Sequence, residues 1–131
     1  MAIPNLANTT QSYGVTKVGT LTTGWSNVTG SADNNMTTAG AIATDYTAKV
    51  HTLIISNIDG SNAADVTVRV YNSATASHFN LATTISVPAD TSLVVISADT
   101  FVWIEEGDSI QATASASSDL NYLCSFTLFA D

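Results

Sequence analysis

Few side chains in this chain could do chemistry, and those few are scattered. The two histidines, His51 and His78, fall in or beside β-type runs, outside any local metal-ligand or triad spacing. Serines are abundant, but no G-x-S-x-G nucleophile elbow sets one up for acyl transfer. Glu105 and Glu106 are adjacent in an extended run, so their side chains point to opposite faces and cannot act as facing carboxylates. Glu106 and Asp108 flank Gly107, where forming a turn and meeting solvent is the expected role. No catalytic residue is assigned, and the chain is expected not to be an enzyme. Two loops are rich in oxygen donors: Asp59, Ser61, Asn62 and Asp65, and Asp33, Asn34 and Asn35. Neither has the alternating acids closed by a bidentate glutamate of an EF-hand, so polar loops are expected, with no metal and no cofactor. The single cysteine, Cys124, lies in LNYLCSFTLF without a neighbouring Lys, Arg or His to lower its pKa; it is expected to be a small buried hydrophobe. Trp103 sits in an apolar strand and is expected in the core. Trp25 follows Gly24 in polar surroundings and is the better surface contact, for a sugar or a protein.

Charge narrows the partners. Three cations, Lys17, Lys49 and Arg69, stand against eleven acids for a net −8. Nucleic-acid binding draws its affinity from clustered Lys and Arg, so no nucleic acid is expected. The same shortage argues against anionic membranes, and no apolar run approaches the ~18 residues of a span. The opening MAIPNLANTT has neither a charged n-region nor an apolar h-region, so no secretory signal is expected and the sequons at Asn8, Asn27 and Asn35 carry little weight. Only 11% of the 131 residues are charged, and Thr, Ser, Asn and Ala fill the gap. That composition suits a β-rich domain with a hydroxyl-covered surface.

The elements that would position these residues are strands. Apolar spacing at i, i+3, i+4 never persists for a dozen residues, whereas β-branched runs divided by Gly, Asn, Asp and Pro recur. KVHTLIISNI places Val50, Ile54 and Ile58 on one face and Leu53 and Ile55 on the other. DVTVRVY alternates Val66, Val68 and Val70 against Thr67, Arg69 and Tyr71. FNLATTISV turns Phe79, Leu81, Ile85 and Val87 inward, and Pro88 ends it. SLVVIS suits a strand covered on both faces. FVWIEEGDSIQATAS makes two strands joined at Glu106-Gly107-Asp108. In LNYLCSFTLF, Leu120, Tyr122, Cys124, Phe126 and Leu128 share the inward face. Seven strands, with one or two more from YGVTKVGTL and its neighbours, predict an all-β, antiparallel β-sandwich of jelly-roll or Ig-like type.

Texture divides the chain into residues 1–45, an N-terminal arm and polar loop or strand region, and 46–131, the sandwich domain. The first region adds either extra strands on the same sandwich or an extended arm that orders against a neighbour. Ile3, Pro4 and Leu6 are the apolar anchors of such an arm, and Tyr13 and Trp25 are further candidate partner contacts.

The stretch SVPADTSLVVISADTFVWIEEGDSIQATASASSDLNYLCSFTLF resembles small virion proteins of tailed bacteriophages, particularly those of cyanobacteria and other aquatic bacteria. The shared elements are Val87-Pro88-Ala89-Asp90, Leu93 to Ile96, and Glu106-Gly107-Asp108-Ser109-Ile110, with KVHTLIISNIDGSNAADVTVRVYNSA fitting upstream. The likeness spans roughly residues 49–129. It implies a structural role: a capsid decoration (cement) protein on the outside of the head, bound to the major capsid protein as a homotrimer at local three-fold axes. A tail, neck or fibre component, or a carbohydrate-binding module, are the alternatives. Depletion of charge agrees with a surface largely covered by neighbours, and multivalency would supply the affinity that one contact lacks.

Overall fold

The computed structural model of the chain describes residues 5–29, 37–38 and 41–130. A 3-10 turn at Leu6–Asn8, held by the Asn5 side chain accepting from the Ala7 amide, leads into β1 (Gln11–Thr20). Two-residue strands follow: β2 (Ser26–Asn27), β3 (Thr37–Thr38) and β4 (Ala41–Ile42). Then come β5 (Tyr46–Asn57), β6 (Ala64–Asn72), β7 (Ser77–Val87) and β8 (Ser92–Ile96). A second 3-10 turn at Ala98–Thr100 precedes β9 (Val102–Ile104), β10 (Ser109–Ala114) and β11 (Leu120–Ala130). No α-helix occurs among the described residues.

The strands form two main antiparallel sheets. The first runs β1-β11-β5-β8, with β9 also pairing with β5; the second runs β2-β10-β6-β7; β3 and β4 pair separately. First and last strands thus lie side by side (β1 with β11, β2 with β10), as do the middle ones (β5 with β8, β6 with β7). This nested order is a jelly roll, a choice that alternation alone left open against an Ig-like order. The sequence expectation of an all-β antiparallel sandwich holds.

One core lies between the sheets. Phe126, Leu128, Leu120 and Cys124 of β11 meet Val50, Leu53 and Ile55 of β5 and, across the gap, Val66, Val68, Ile110 and Ala112 of the second sheet. Leu21, Val28 and Ile42 belong to the same cluster, so residues before 46 help build it, and β1 pairs with β11 over ten positions. The alternating reading of β6 and β11 holds.

Three expected facings do not, each for a structural reason. Val50 pairs with Phe126 and Thr52 with Ser125, which leaves His51 as an extra residue in β5. This bulge resets the parity, so Val50 shares the core face with Leu53 and Ile55, while Ile54 turns to the other face and Ile58 lies exposed beyond the strand. In β7, Arg69 pairs with Asn80 and Val68 with Ala82, so Leu81 bulges and Ala82 takes the inward place. Phe79 and Ile85 keep the parity of Val70 and Val66 but remain exposed, because β7 is the edge of its sheet; Val87 alone of that expected set is buried. β8 is also an edge strand, covered on one face only: Ile96 is buried and Val94 is 58% exposed.

The turn at Glu105–Asp108 is a structural hub and not the solvated turn expected. Glu106 and Asp108 are both buried. The Glu106 carboxylate accepts the Asp45 amide at 2.7 Å, and Oδ1 of Asp108 accepts both the amide and the hydroxyl of Ser73 at 2.9 Å. Backbone bonds join the same turn to Ile42 on both sides, its amide donating to Asp108 and its carbonyl accepting from Gly107. Gly107 has φ 81, and a Cβ there would lie 2.7 Å from the Ser73 hydroxyl. Both the dihedral and the contact demand glycine.

Candidate functional site

The outer face of the first sheet carries a row of exposed aliphatic side chains. Directly paired residues of antiparallel strands share a face, so the register reads off this face row by row. Val18 pairs with Leu123, Leu123 with Ile54, and Ile54 with Val94. These four aliphatic side chains make one stripe across all four strands, with Val18 67% and Val94 58% exposed at its ends. Hydroxyl and amide rows flank it. On one side Thr20 donates to Asn121 at 2.9 Å, and the Ser56 and Ser92 hydroxyls lie 3.0 Å apart. On the other, Thr16 and Ser125 are hydrogen-bonded at 3.2 Å, and Thr52 continues the row. The rows satisfy themselves laterally, so a partner would meet a surface with few polar groups left to desolvate.

Beyond the second row stands an aromatic cluster. Trp103 pairs with Lys49 across the strands and is 42% exposed, which corrects its expected place in the core. β9 lies along the sheet margin, and its middle residue points away from the other sheet. The Trp103 ring lies 5.9 Å from that of Phe129 and meets Phe101 edge-on at 6.4 Å, while the Lys49 ammonium sits 4.3 Å over the Phe101 ring. Among the described residues, the register places no Asp or Glu on this face; the acids sit mainly in loops and turns. On a chain of net −8 that is a marked local deficit of negative charge.

A shallow hollow opens on this face, lined by Val18, Thr20, Ser56, Asn121 and Leu123. Behind it, on the core side of the same strands, Tyr122 covers Gly19 so closely that a Cβ there would meet the ring at 2.7 Å. Burial, and then the neighbouring Cys124, push the Tyr122 phenol above its ordinary pKa. Cys124 itself is buried, and burial pushes its thiol up to about 12, which keeps it protonated and unreactive at neutral pH.

The outer face of the second sheet is polar. Asn27, Gln111 and Arg69 form a hydrogen-bonded row, with Gln111 donating to Asn27 at 3.2 Å and accepting from Arg69 Nε at 2.8 Å. The Arg69 guanidinium stacks 3.6 Å over the Trp25 ring. Trp25 is therefore exposed, but one side of its ring is taken by a cation.

The expected partner contacts are dispersed. Ile3 and Pro4 lie outside the described residues, as do Asp33, Asn34 and Asn35 of one candidate cation loop. Leu6 is exposed on the first 3-10 turn, Tyr13 lies on β1 with the parity of Leu128, and Trp25 belongs to the other sheet. In the second oxygen-rich loop, the Asp59 carboxylate is occupied by the amides of Ser61 (2.7 Å) and Asn62 (3.2 Å). The Ser61 amide, then the Asn62 side chain and amide, hold its pKa below the usual value. His51 hydrogen-bonds Thr52 at 3.1 Å, and the His78 ring lies tilted against that of Tyr71, their centroids 5.0 Å apart.

Sequence reasoning missed Val18, Ile54, Val94, Leu123 and the Phe101–Trp103 pair as surface residues. A signal was present: β5, β8 and β11 carry large apolar residues on both parities, although a two-layer sandwich covers only one.

Comparison with protein-family models and with curated proteins gives no match. Solved structures with a similar backbone include a chain of Bacillus endospore appendages, which are disulfide-linked pili (12% identity, TM-score 0.48, covering 92% of this chain and 87% of that one). A chain of the T13 IBDV viral particle is similar over 92% of this chain and 31% of its own length (9% identity, TM-score 0.47). The Drosophila NLP-core is similar over 88% and 96% (12% identity, TM-score 0.42). These likenesses concern fold alone.

Proposed function

We propose that this chain is a structural subunit of a bacteriophage virion, a decoration protein that sits on the outside of the head and braces the major capsid protein as a trimer. The observation that carries this reading is the acid-free outer face of the first sheet, with its aliphatic stripe and aromatic cluster. Covering an exposed aliphatic or aromatic side chain contributes about 1.5–3 kcal/mol at full burial, so even partial burial of the stripe would contribute to docking. The lateral hydrogen bonds of the flanking rows lower the cost of excluding water from them. Repetition over a symmetric shell would multiply a modest single contact. The resemblance at Val87–Asp90 and Glu106–Ile110 points to the same class; in this chain the second of these segments holds the Asp45 and Ser73 loops in place.

Quantitative mass spectrometry of purified particles that carry the gene tests the role. Copy number on the order of that of the capsid protein is expected; a few copies per particle, on the tail, would favour a tail, neck or fibre component. Leu123→Lys, in the middle of the stripe, should abolish attachment to shells while leaving the melting temperature unchanged, and undiminished occupancy would refute docking through this face. Removing residues 1–9 tests Ile3, Pro4 and Leu6 as arm anchors: loss of attachment with an unchanged fold is expected.

A carbohydrate-binding module is the second reading, favoured by the exposed Trp103 beside Phe101. Aromatic platforms stack sugars, and a glycan array with Trp103→Ala as control decides it.

A further inference from the structure

The two ends of the sandwich are unlike, and they complement each other. At one end β1 is an edge strand ten residues long, paired with β11 without a shift in register. The strand at the same end of the second sheet, β2, is only two residues long. Among the described residues the sandwich therefore gapes here: Tyr13 and Val15 have the parity of buried Leu128 and Phe126, yet Tyr13 is exposed and Val15 half-buried. At the opposite end the second sheet has apolar side chains to spare. β7 is eleven residues long, and its Phe79 (57% exposed) and Ile85 point to the core side with nothing among the described residues covering them fully. Among the described residues, one end lacks the strand that the other end overhangs with.

We propose that copies of this chain associate head to tail, the β7–β8 end of one against the β1–β2 end of the next. Strand direction permits it. Because every pairing within the sheets is antiparallel, β8 runs opposite to β1 and β7 opposite to β2, so a neighbour's β8 and β7 meet β1 and β2 in antiparallel orientation. The aliphatic stripe also supports it. Val18 and Val94, its most exposed members, stand at the two ends, and head-to-tail contact joins the Val94 of one copy to the Val18 of the next. Phe79 and Ile85 then fill the gap over Tyr13 and Val15. Charge does not oppose the contact, since no acid precedes Asp33 in the sequence and β1 carries Lys17. An edge that is long, regular and apolar-flanked is one that soluble proteins normally blunt; a neighbour's strands would cover it here. Such a heterologous contact closes into a ring when the rotation between copies allows, and otherwise grows as a chain.

The inference concerns how copies meet and stands apart from what the outer face docks on. Light scattering on the full-length protein after size exclusion should give a multiple of 13.6 kDa. Phe79→Lys should reduce the mass to one copy with an unchanged melting temperature, and Leu81→Lys provides a second edge variant. Val18→Cys and Val94→Cys proteins, co-expressed and treated with a short bis-maleimide, should cross-link to each other and not to themselves; buried Cys124 stays silent. A native mass of one copy at every concentration overturns the proposal, as does cross-linking of Val18→Cys to itself, which would mean a two-fold β1–β1 contact. Either result leaves decoration through the outer face standing. An oligomer that fails to bind shells overturns decoration and leaves the head-to-tail contact standing.

Discussion

Replacing Asp108 with alanine should destabilise this domain by more than any exposed acid could. Its Oδ1 accepts two hydrogen bonds from Ser73, one from the amide and one from the hydroxyl, both at 2.9 Å, and the carboxylate is buried. Removing it strands a part-buried amide, which costs about 1–3 kcal/mol, and a hydroxyl, which costs about 0.5–1.5 kcal/mol when it cannot turn to water. Relief from desolvating a carboxylate offsets part of this, for a net loss of about 2 kcal/mol. In a domain of this size each kcal/mol moves the melting temperature by roughly 3–5 °C, so a fall of about 6–10 °C is expected. Asp108→Asn keeps an acceptor and should lose less than half as much. Glu105→Ala, one strand end away and exposed, should stay within about 0.5 kcal/mol. Thermal melts followed by circular dichroism, with urea titration for the free energy, make the comparison. An Asp108→Ala protein that melts with the Glu105→Ala control would refute the assignment of this turn as a structural hub.

Gly107→Ala should cost about 1–3 kcal/mol, from the positive φ and the approach to the Ser73 hydroxyl, and urea titration reads it. Cys124 gives a signed pH dependence. Its thiol pKa rises from 9.0 to about 12 in the fold, so the stability tied to the protonated thiol is complete below about 9 and is lost as pH climbs towards 12. Tyr122 shifts in the same direction, so Cys124→Val should reduce the alkaline slope of the unfolding free energy without abolishing it; an unchanged slope would refute the thiol's part. Ellman's reagent should label Cys124 only on unfolding. Association between copies of charge −8 should strengthen as salt rises, because screening weakens their repulsion, whereas docking on a basic partner would weaken; sedimentation at low and high salt separates the two.

Much of the fold was legible because strands announce themselves by period. The inward faces of β6 and β11 follow from Val66, Val68 and Val70 and from Leu120 to Leu128, whose alternation runs uninterrupted. The β5 and β7 facings failed at His51 and Leu81, where one extra residue resets a period of two and leaves no mark in composition. Cys124 was legible as a buried thiol because every neighbour of its parity is apolar. Glu106 and Asp108 were not legible as buried groups, since their partners, the amides of Asp45 and Ser73, come from loops 61 and 35 residues away. The proposed docking surface was not legible: Trp25, the contact singled out, lies on the other sheet with its ring stacked by Arg69, and the stripe needs four strands in register before it exists.

The sequence by itself determined the class of this protein: all-β, antiparallel and acidic. Composition and local alternation are enough for that, because strand formation and net charge are sums over neighbours in the chain. Only the tertiary structure decided the jelly-roll order, the burial of the Glu106 and Asp108 carboxylates and the stripe from Val18 to Val94. Each depends on which distant residues are brought side by side, and a two-layer sandwich can shield only one face of each strand, so register alone chooses which apolar side chains are left for a partner.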